Sequence, residues 1–344
     1  MVETATARDR VLNMLKGEKV SPVPCFSGVG NVTTKGLDKL GYRFADVHKD
    51  AKMMAESAMT TWELYGFECV VVPFDLCLEA EALGCVMNPY ADSDDLLYPT
   101  IKEKSKQTVE QLRQFATPDL LTKGRIPMMK EVVKIIRAKL GDQVAIGSYL
   151  LGPFTLGGQI GELEPLLKSS FKKPEEMLEY LDALADIIVI IGRELQASGV
   201  DFLSVREMGA TTDVLSPRVF KKVIAPGLRK ISEGLASPAI LHICGSVMPI
   251  VKDMADLGYA AISIDSKTPM KEAREAVGPD TVILGNINPF ANLNDGTADD
   301  CYNVVAQCVK DGVNAIHPGC DIWPTAKPEN MEAMMRASRE TVVE

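Results

Sequence analysis

The chain has 344 residues, of which 46% are hydrophobic and 24% are charged, so it can bury a large core. Its formal net charge of −10 argues against general nucleic-acid binding, which needs a basic surface. No apolar run approaches the roughly 18 residues of a membrane span, and the charged N-terminus does not resemble a signal peptide. Eight dispersed cysteines favour reduced thiols over a disulfide framework. These features predict a cytoplasmic protein that binds neither nucleic acid nor membrane.

The chain opens with an amphipathic helical pattern over residues 1–20, which predicts a helical extension that plugs or flanks the domain behind it. Short apolar runs rich in β-branched residues then alternate with longer amphipathic segments. Runs without polar alternation are typical of strands buried on both faces, as in parallel sheets. The eight predicted strands are 22–28, 67–73, 144–150, 201–207, 239–245, 260–265, 281–287 and 314–319.

Eight strands with intervening helices predict one α/β domain over residues 21–344, a single (β/α)8 TIM barrel with the helical extension before it. A doubly wound open sheet is the alternative, because strand counts from sequence are uncertain. Residues 74–125 form a long excursion after the second strand and are expected to supply loops over one barrel face. In such barrels the functional side chains gather at the carboxyl ends of the strands.

A histidine and two cysteines lie at two of these strand ends. His242 and Cys244 end the fifth predicted strand, and Cys320 follows the eighth. One imidazole and two thiols suit zinc, and three protein ligands leave a fourth position open, as in catalytic zinc sites. Gly245 and Gly319 adjoin the cysteines and allow the backbone to bend close to an ion. A core histidine beside inert buried cysteines is the alternative, because this pattern is weaker than paired CxxC motifs.

Three charged residues end other predicted strands on the same rim. Asp265 ends the sixth predicted strand. From this position it could act as a fourth zinc ligand, as a base next to the ligands, or as the cap of the following helix. Arg206 and Glu207 end the fourth and are expected to face the pocket. The Arg206 guanidinium suits bidentate binding of an anionic group such as a sulfonate. An ion pair with Glu207 or Asp265 is the structural alternative.

The other histidines and an evenly spaced set of cysteines are expected to have structural roles. His317 is interpreted as a support for the site rather than a ligand, because alternate residues of a strand face opposite ways. His48 is interpreted as a surface histidine at the start of a helix. Cys69, Cys77 and Cys85 follow no common metal pattern, and core packing is the better interpretation.

Segments along nearly the whole chain carry a family resemblance. They are ARDRVLNMLKGEKVSPVP, VPFDLCLEAEALGC, LLGPFTL, LHICGSVMPIVKDMADLGYAAISID, VILGNINPF and HPGCDIWPTAKPENMEAM. Together they resemble the methylcobamide:coenzyme M methyltransferases of the uroporphyrinogen decarboxylase superfamily. The decarboxylase branch is disfavoured, because the segment 22–36 lacks the arginines expected for a tetrapyrrole's carboxylates.

The resemblance implies a (β/α)8 barrel with zinc on His242, Cys244 and Cys320, and a corrinoid co-substrate carried on a separate small protein. The function it implies is zinc-dependent methyl transfer between that methylcobamide and a small thiol such as coenzyme M, as in the one-carbon metabolism of methanogenesis. A first-step methyltransferase, moving methyl from a methylated donor to a Co(I) corrinoid protein, is one alternative. A non-catalytic corrinoid- or tetrapyrrole-binding barrel is the other. After the fourth strand such transferases usually carry Ala-Asp-Pro, whereas this chain has Val205-Arg206-Glu207-Met208. Arg206 and Glu207 are therefore expected to select the small substrate.

Overall fold

The computed structural model describes residues 5–236 and 238–342. Within these residues the strands are β1 (Cys69–Val72), β2 (Val86–Asn88), β3 (Thr100–Glu103), β4 (Ala145–Leu151), β5 (Phe202–Arg206), β6 (Ala239–Ile243), β7 (Ala261–Ile264), β8 (Ile283–Ile287) and β9 (Ala315–Pro318). Seven of them form one sheet in the order β1-β4-β5-β6-β7-β8-β9, and all its pairs are parallel. Each overlaps a predicted strand.

Helices follow most of these strands, as the alternating pattern predicts. The described α-helices are α1 (Ala7–Leu15), α2 (Thr34–Leu40), α3 (Ala51–Tyr65), α4 (Leu78–Ala82), α5 (Val109–Phe115), α6 (Ile126–Leu140), α7 (Pro153–Ile160), α8 (Leu163–Lys172), α9 (Pro174–Ala197), α10 (Pro217–Val219), α11 (Ala225–Gly234), α12 (Val251–Ala255), α13 (Met270–Val277), α14 (Ala298–Lys310) and α15 (Pro328–Glu340). Among the described helices, none combines the length and apolar character needed to cross a membrane.

The strand order decides between the two predicted architectures. Leaving aside the hairpin β2–β3, spatial order follows chain order from β1 to β9 without a reversal. A doubly wound sheet reverses its strand order at a switch point, so that alternative is wrong. Strands β4 and β5 are buried over their whole length, as expected for a sheet covered on both faces. Parallel strands place all their carboxyl ends on one rim, where the candidate site residues follow.

The first predicted strand, residues 22–28, is a single β-bridge rather than a strand. Cys25 pairs with Ile316 of β9, and the Ile316 amide donates to the Pro24 carbonyl at 2.8 Å. On the other side the Glu68 amide donates to the Cys25 carbonyl at 3.1 Å. Pro22 and Pro24 have no N–H group and cannot donate to a ladder, which explains why pairing is confined to one position.

Helix α1 lies against the amino ends of the strands. Its Val11 and Met14 are buried in one apolar cluster with Val71 of β1 and Ala145 of β4. The Arg8 amide donates to the Gln143 carbonyl, just before β4, at 3.3 Å. The helix therefore covers the end of the sheet opposite to the rim that carries the candidate site.

The prediction that His48 lies on the surface is wrong. Its side chain is 1% exposed, and its Nδ1 lies 3.1 Å from Oδ2 of Asp75, which follows β1. Arg125 donates to both Asp75 oxygens, at 2.7 and 2.8 Å. Although burial opposes ionisation, these hydrogen bonds hold the pKa of Asp75 below its ordinary value. The partner of Nδ1 is 27 residues distant in the chain, and the sequence that flanks His48 does not reveal it.

Candidate metal centre and substrate cleft

Three potential metal ligands meet on the carboxyl rim of the sheet. His242 lies on β6, Cys244 follows that strand directly, and Cys320 lies two residues beyond β9. One ligand atom from each residue lies within 4.8 Å of the other two. Since β7 and β8 separate β6 from β9 in the sheet, the sheet must curl to bring them together. The predicted set of ligands is thus assembled from residues far apart in sequence.

The His242 imidazole has one engaged nitrogen and one free nitrogen. The ring is fully buried, and its Nδ1 lies 3.0 Å from the Ser263 hydroxyl on β7. Its Nε2 is buried and has no hydrogen-bond partner among the described residues. An unsatisfied buried nitrogen is costly, and coordination of a metal would satisfy it. With Nδ1–H donating to Ser263, the Nε2 lone pair is free for that purpose.

His317 is neighbour to the site but has no nitrogen left for a metal. Its Nε2 accepts from the Gly28 amide at 2.7 Å, and its Nδ1 donates to the Pro318 carbonyl at 2.6 Å. Burial and the neighbouring His242 lower the pKa of His317 to about 3, so the ring is neutral. This arrangement agrees with the interpretation of His317 as a support for the site.

The two thiols are linked to each other. A hydrogen bond from Cys320 lowers the pKa of Cys244, whereas the same contact, together with burial, raises the pKa of Cys320. Of the two thiols, Cys244 is therefore the one that ionises more readily. Thiolates are the forms of cysteine that bind zinc.

Both flanking glycines are required by the local backbone. Gly245 has φ +82°, and a Cβ there would meet the Thr211 hydroxyl at 2.5 Å. A Cβ on Gly319 would lie 2.9 Å from the backbone nitrogen of Ser266. The cysteine-bearing loops are therefore held against their neighbours at distances that a side chain would prevent.

Asp265 lies next to the cysteine loop and binds its backbone. Its Oδ2 accepts from the Gly245 amide at 3.1 Å, and its Oδ1 accepts from the Lys267 amide at 3.0 Å and the Ser266 hydroxyl at 3.1 Å. The carboxylate ties the loop that carries Cys244 to the end of β7. This geometry favours a positioning role over direct coordination.

Asp265→Asn should weaken zinc binding about 10- to 100-fold, the usual cost of losing a partner that orients a metal ligand. The amide keeps the side chain's shape but removes the charge and one acceptor that hold the Gly245 amide. Zinc affinity is measured by competition with a chromophoric chelator. Asp280→Asn removes an equal charge from an exposed position and should leave the affinity unchanged. Equal affinities in both variants would exclude the positioning role.

Arg206 has an ion-pair partner that the sequence did not suggest. Its fully buried guanidinium binds both oxygens of Asp321, at 3.0 and 2.5 Å, rather than Glu207 or Asp265. The guanidinium also stacks over the Tyr149 ring, with its Cζ 4.8 Å from the ring centroid. Asp321 directly follows Cys320, which is the one sequence signal that could have identified it. The two guanidinium nitrogens that could bind an anionic ligand therefore already bind a carboxylate of the same chain.

Glu207 turns toward a helix. Its carboxylate is fully buried and accepts from the amides of Phe154 and Thr155, at 2.9 and 2.8 Å, and from the Thr155 hydroxyl at 2.5 Å. These donors form the first turn of α7. Burial raises the pKa of Glu207 to about 7, although the hydrogen bonds oppose this rise. The contacts indicate that Glu207 anchors α7 to the end of β5.

Glu207→Gln should lower the free energy of unfolding by about 1–3 kcal/mol, because the amide NH2 faces donors and leaves at least one buried amide unsatisfied. Urea denaturation measures the change. Glu164→Gln serves as the control, since its carboxylate is exposed on α8 and pairs there with Lys168. The control should change stability by less than about 0.5 kcal/mol. Unchanged stability with an altered KM would instead return Glu207 to substrate selection.

Two adjoining cavities open beside the potential ligands. One of about 520 Å³ is lined by Cys320, Asp321, Tyr98 and Trp323, among others. The other, of about 440 Å³, shares Tyr98 and Asp321 and extends toward α7. Because Cys320 lines the first, a small molecule in the cleft can reach its thiol. Tyr98 comes from the predicted excursion 74–125, so that excursion does supply a wall of the cleft.

Comparison with known proteins places this chain in a family. A family model described as uroporphyrinogen decarboxylase (URO-D) matches residues 6–341. The chain belongs to the uroporphyrinogen decarboxylase family. Within it, the chain is 30% identical to methylcobamide:CoM methyltransferase MtaA of Methanosarcina barkeri, over 97% of this chain and 98% of that protein. A uroporphyrinogen decarboxylase of Hydrogenovibrio crunogenus is 22% identical, over 96% of both chains.

The methyltransferase branch of the family gives the stronger similarity. A methylated-thiol–coenzyme M methyltransferase of Methanosarcina mazei is 28% identical, over all of this chain and 92% of that protein. A solved structure of a methyltransferase from Methanosarcina mazei superposes with a TM-score of 0.91 at 30% identity, over 97% of this chain and 98% of that one. The resemblance to methylcobamide:coenzyme M methyltransferases drawn from the sequence is therefore confirmed.

Proposed function

We propose that this protein is a zinc-dependent methyltransferase that moves a methyl group between a corrinoid and a small thiol. The observation that carries the proposal is the free Nε2 of buried His242 beside two thiols at the edge of an open cleft. Two cysteines and one histidine are a donor set that zinc accepts, with a fourth position left open. The names of the relatives support corrinoid-linked methyl transfer to a thiol.

His242, Cys244 and Cys320 would hold the ion, and a zinc ion there would keep a substrate thiol as its thiolate at neutral pH. The chain's own groups prepare that position. Ser263 fixes the His242 ring, and Asp265 holds the loop of Cys244. In the net reaction the sulfur gains the methyl group and loses its proton to solvent. The electron pair of the Co–C bond remains on cobalt as Co(I).

We further propose that the seven-stranded sheet closes into a barrel with eight strand positions. Residues 24–26 hydrogen-bond to β9 on one side, and Cys25 bonds to the segment before β1 on the other. They would therefore take the place of the eighth strand between the two sheet edges.

A separate small protein would carry the corrinoid to this rim. Four large apolar side chains near the cleft are 36–51% exposed: Leu96, Leu97, Phe290 and Trp323. Phe290 and Trp323 pack edge to face with ring centroids 4.9 Å apart. Exposed apolar groups beside an open cleft suit the face of a macrocycle and a protein partner.

The decisive experiment is methyl transfer from free methylcobalamin to a panel of thiols and pterins, followed by the absorbance of the Co(I) product under anaerobic conditions. The zinc content of the same preparation is measured in parallel. We expect turnover with at least one thiol, and its loss after zinc is removed by a chelator. Turnover of a methylated donor with Co(I) as the acceptor, and none with thiols, would reassign the protein to the first step of methyl transfer. Corrinoid binding without turnover in either direction would make it a binding protein.

A further inference from the structure

The carboxylate of Asp321 is the charged group common to both cavities of the cleft. Its side chain is 31% exposed, whereas its partner Arg206 is fully buried behind it. Tyr149 stacks on the guanidinium and helps to cover it. A molecule in the cleft therefore meets the negative member of this ion pair and not the positive one.

The cation on the cleft wall is already engaged. Lys104 is the only cationic side chain among the described residues that line the two cavities. Its Nζ donates to the carbonyls of Gly158 and Gly161, at 3.1 and 2.5 Å, at the carboxyl end of α7. The partial negative charge of a helix carboxyl terminus compensates a cation placed there. An anionic tail would have to compete with these carbonyls for Lys104.

The remaining polar groups of the cleft include acceptors that a ligand could engage. Asp75 also lines the smaller cavity, but both its oxygens are bound by Arg125. Oε1 of Gln159, in the same wall, is buried and finds no donor among the described residues. Burial and the charge of Asp321 raise the pKa of Tyr98, so that its phenol is neutral at physiological pH. An unsatisfied acceptor and a partly exposed carboxylate favour a ligand that brings N–H or O–H donors.

We propose that the thiol taken by this cleft has an uncharged or cationic tail, and that an anionic tail such as the sulfonate of coenzyme M is disfavoured. The inference rests on the proposed methyl transfer to a thiol and specifies its substrate class. Asp321 is the residue that sets this preference, by repelling anions and attracting donors. The names of the similar methyltransferases include coenzyme M. A preference for uncharged or cationic tails would therefore give this chain a different thiol substrate from theirs.

The test uses three thiols that share one two-carbon spacer and carry a cationic, a neutral and an anionic tail: cysteamine, 2-mercaptoethanol and coenzyme M. Binding of their S-methyl thioethers to the zinc-loaded protein is measured by calorimetry at low salt, because salt screens such charges. Since thioethers have no ionisable thiol, differences in thiol acidity do not enter. We expect the sulfonate to bind at least about tenfold more weakly than the alcohol, and the ammonium at least as tightly as the alcohol. A sulfonate that binds as tightly as the other two would overturn the proposal.

Asp321→Asn gives a second, independent readout. Without the carboxylate, the charge of Arg206 is no longer neutralised, and the affinity for the sulfonate relative to the ammonium should rise at least about tenfold. Asp280→Asn removes a charge from an exposed position elsewhere and should leave that ratio as in the parent protein. An unchanged ratio in folded Asp321→Asn would remove Asp321 from the proposal. If that variant does not fold, the three-ligand series on the parent protein decides.

Turnover separates this inference from the proposed function. Methyl transfer that is fastest with coenzyme M, measured as kcat/KM after subtraction of the uncatalysed rate, would leave the methyltransferase intact and overturn the tail preference. Thioether binding in the expected order without transfer to any thiol would support the preference while contradicting the activity.

Discussion

Cys244→Ala and Cys320→Ala are each expected to reduce bound zinc from about one equivalent per chain to less than about a tenth. The rate of methyl transfer should fall by more than about 100-fold. This loss is larger than the roughly 10- to 100-fold loss that follows removal of a residue that only supports a metal ligand. Each substitution removes one of three protein ligands, and the two that remain are too few for a stable site. Metal content is measured by inductively coupled plasma mass spectrometry on purified protein, and turnover is measured with methylcobalamin.

Both variants should keep their fold, because the thiols lie at the rim and are only partly buried. Circular dichroism and urea denaturation of the metal-free proteins test this expectation. Cys85→Ala is the matched control, since that buried thiol contacts Ser105 in the excursion and should not affect zinc. Full zinc occupancy in either rim variant would contradict the assignment of the ligands.

Most of the sheet could be predicted because buried parallel strands leave a strong local signal. The Cys69–Val72 segment is four buried apolar residues bounded by polar or turn residues, and the later strands follow the same pattern. The run 22–28 has similar composition, but Pro22 and Pro24 limit its ladder to one bridge. The prediction of a strand at 22–28 rested on apolar content and took no account of the N–H groups that the two prolines lack.

The clustering of the three potential metal ligands was predictable because rim positions follow from strand ends. His242, Cys244 and Cys320 each lie within two residues of the carboxyl end of β6 or β9, so topology brings them together. The position of Asp321 directly after Cys320 predicts that it lies near the rim, but it does not show that Asp321 rather than another rim carboxylate pairs with Arg206, 115 residues away. Long-range side-chain pairs leave no periodic trace in a single sequence.

Asp321→Ala is expected to lower the free energy of unfolding by about 3 kcal/mol, although its carboxylate is partly exposed. The substitution leaves the Arg206 guanidinium fully buried without its counter-charge, which is the costly way to break a buried ion pair. Burial by itself lowers the pKa of Arg206, whereas the charge of Asp321 and its hydrogen bonds raise it, so Asp321 is a main source of stabilisation for the buried charged guanidinium. Urea denaturation of the metal-free protein measures the loss.

A double-mutant cycle tests whether the unpaired charge is the cause. Arg206→Met combined with Asp321→Ala replaces the pair with apolar groups, and it should recover most of the stability that Asp321→Ala alone loses, because exchanging a buried pair for apolar groups is often neutral. Glu175→Ala, which breaks an exposed pair with Lys222, should cost less than about 0.5 kcal/mol. If the double variant is as unstable as the sum of its single variants, the two residues act independently. The buried arginine would then be stabilised by the Tyr149 ring and its other neighbours rather than by Asp321.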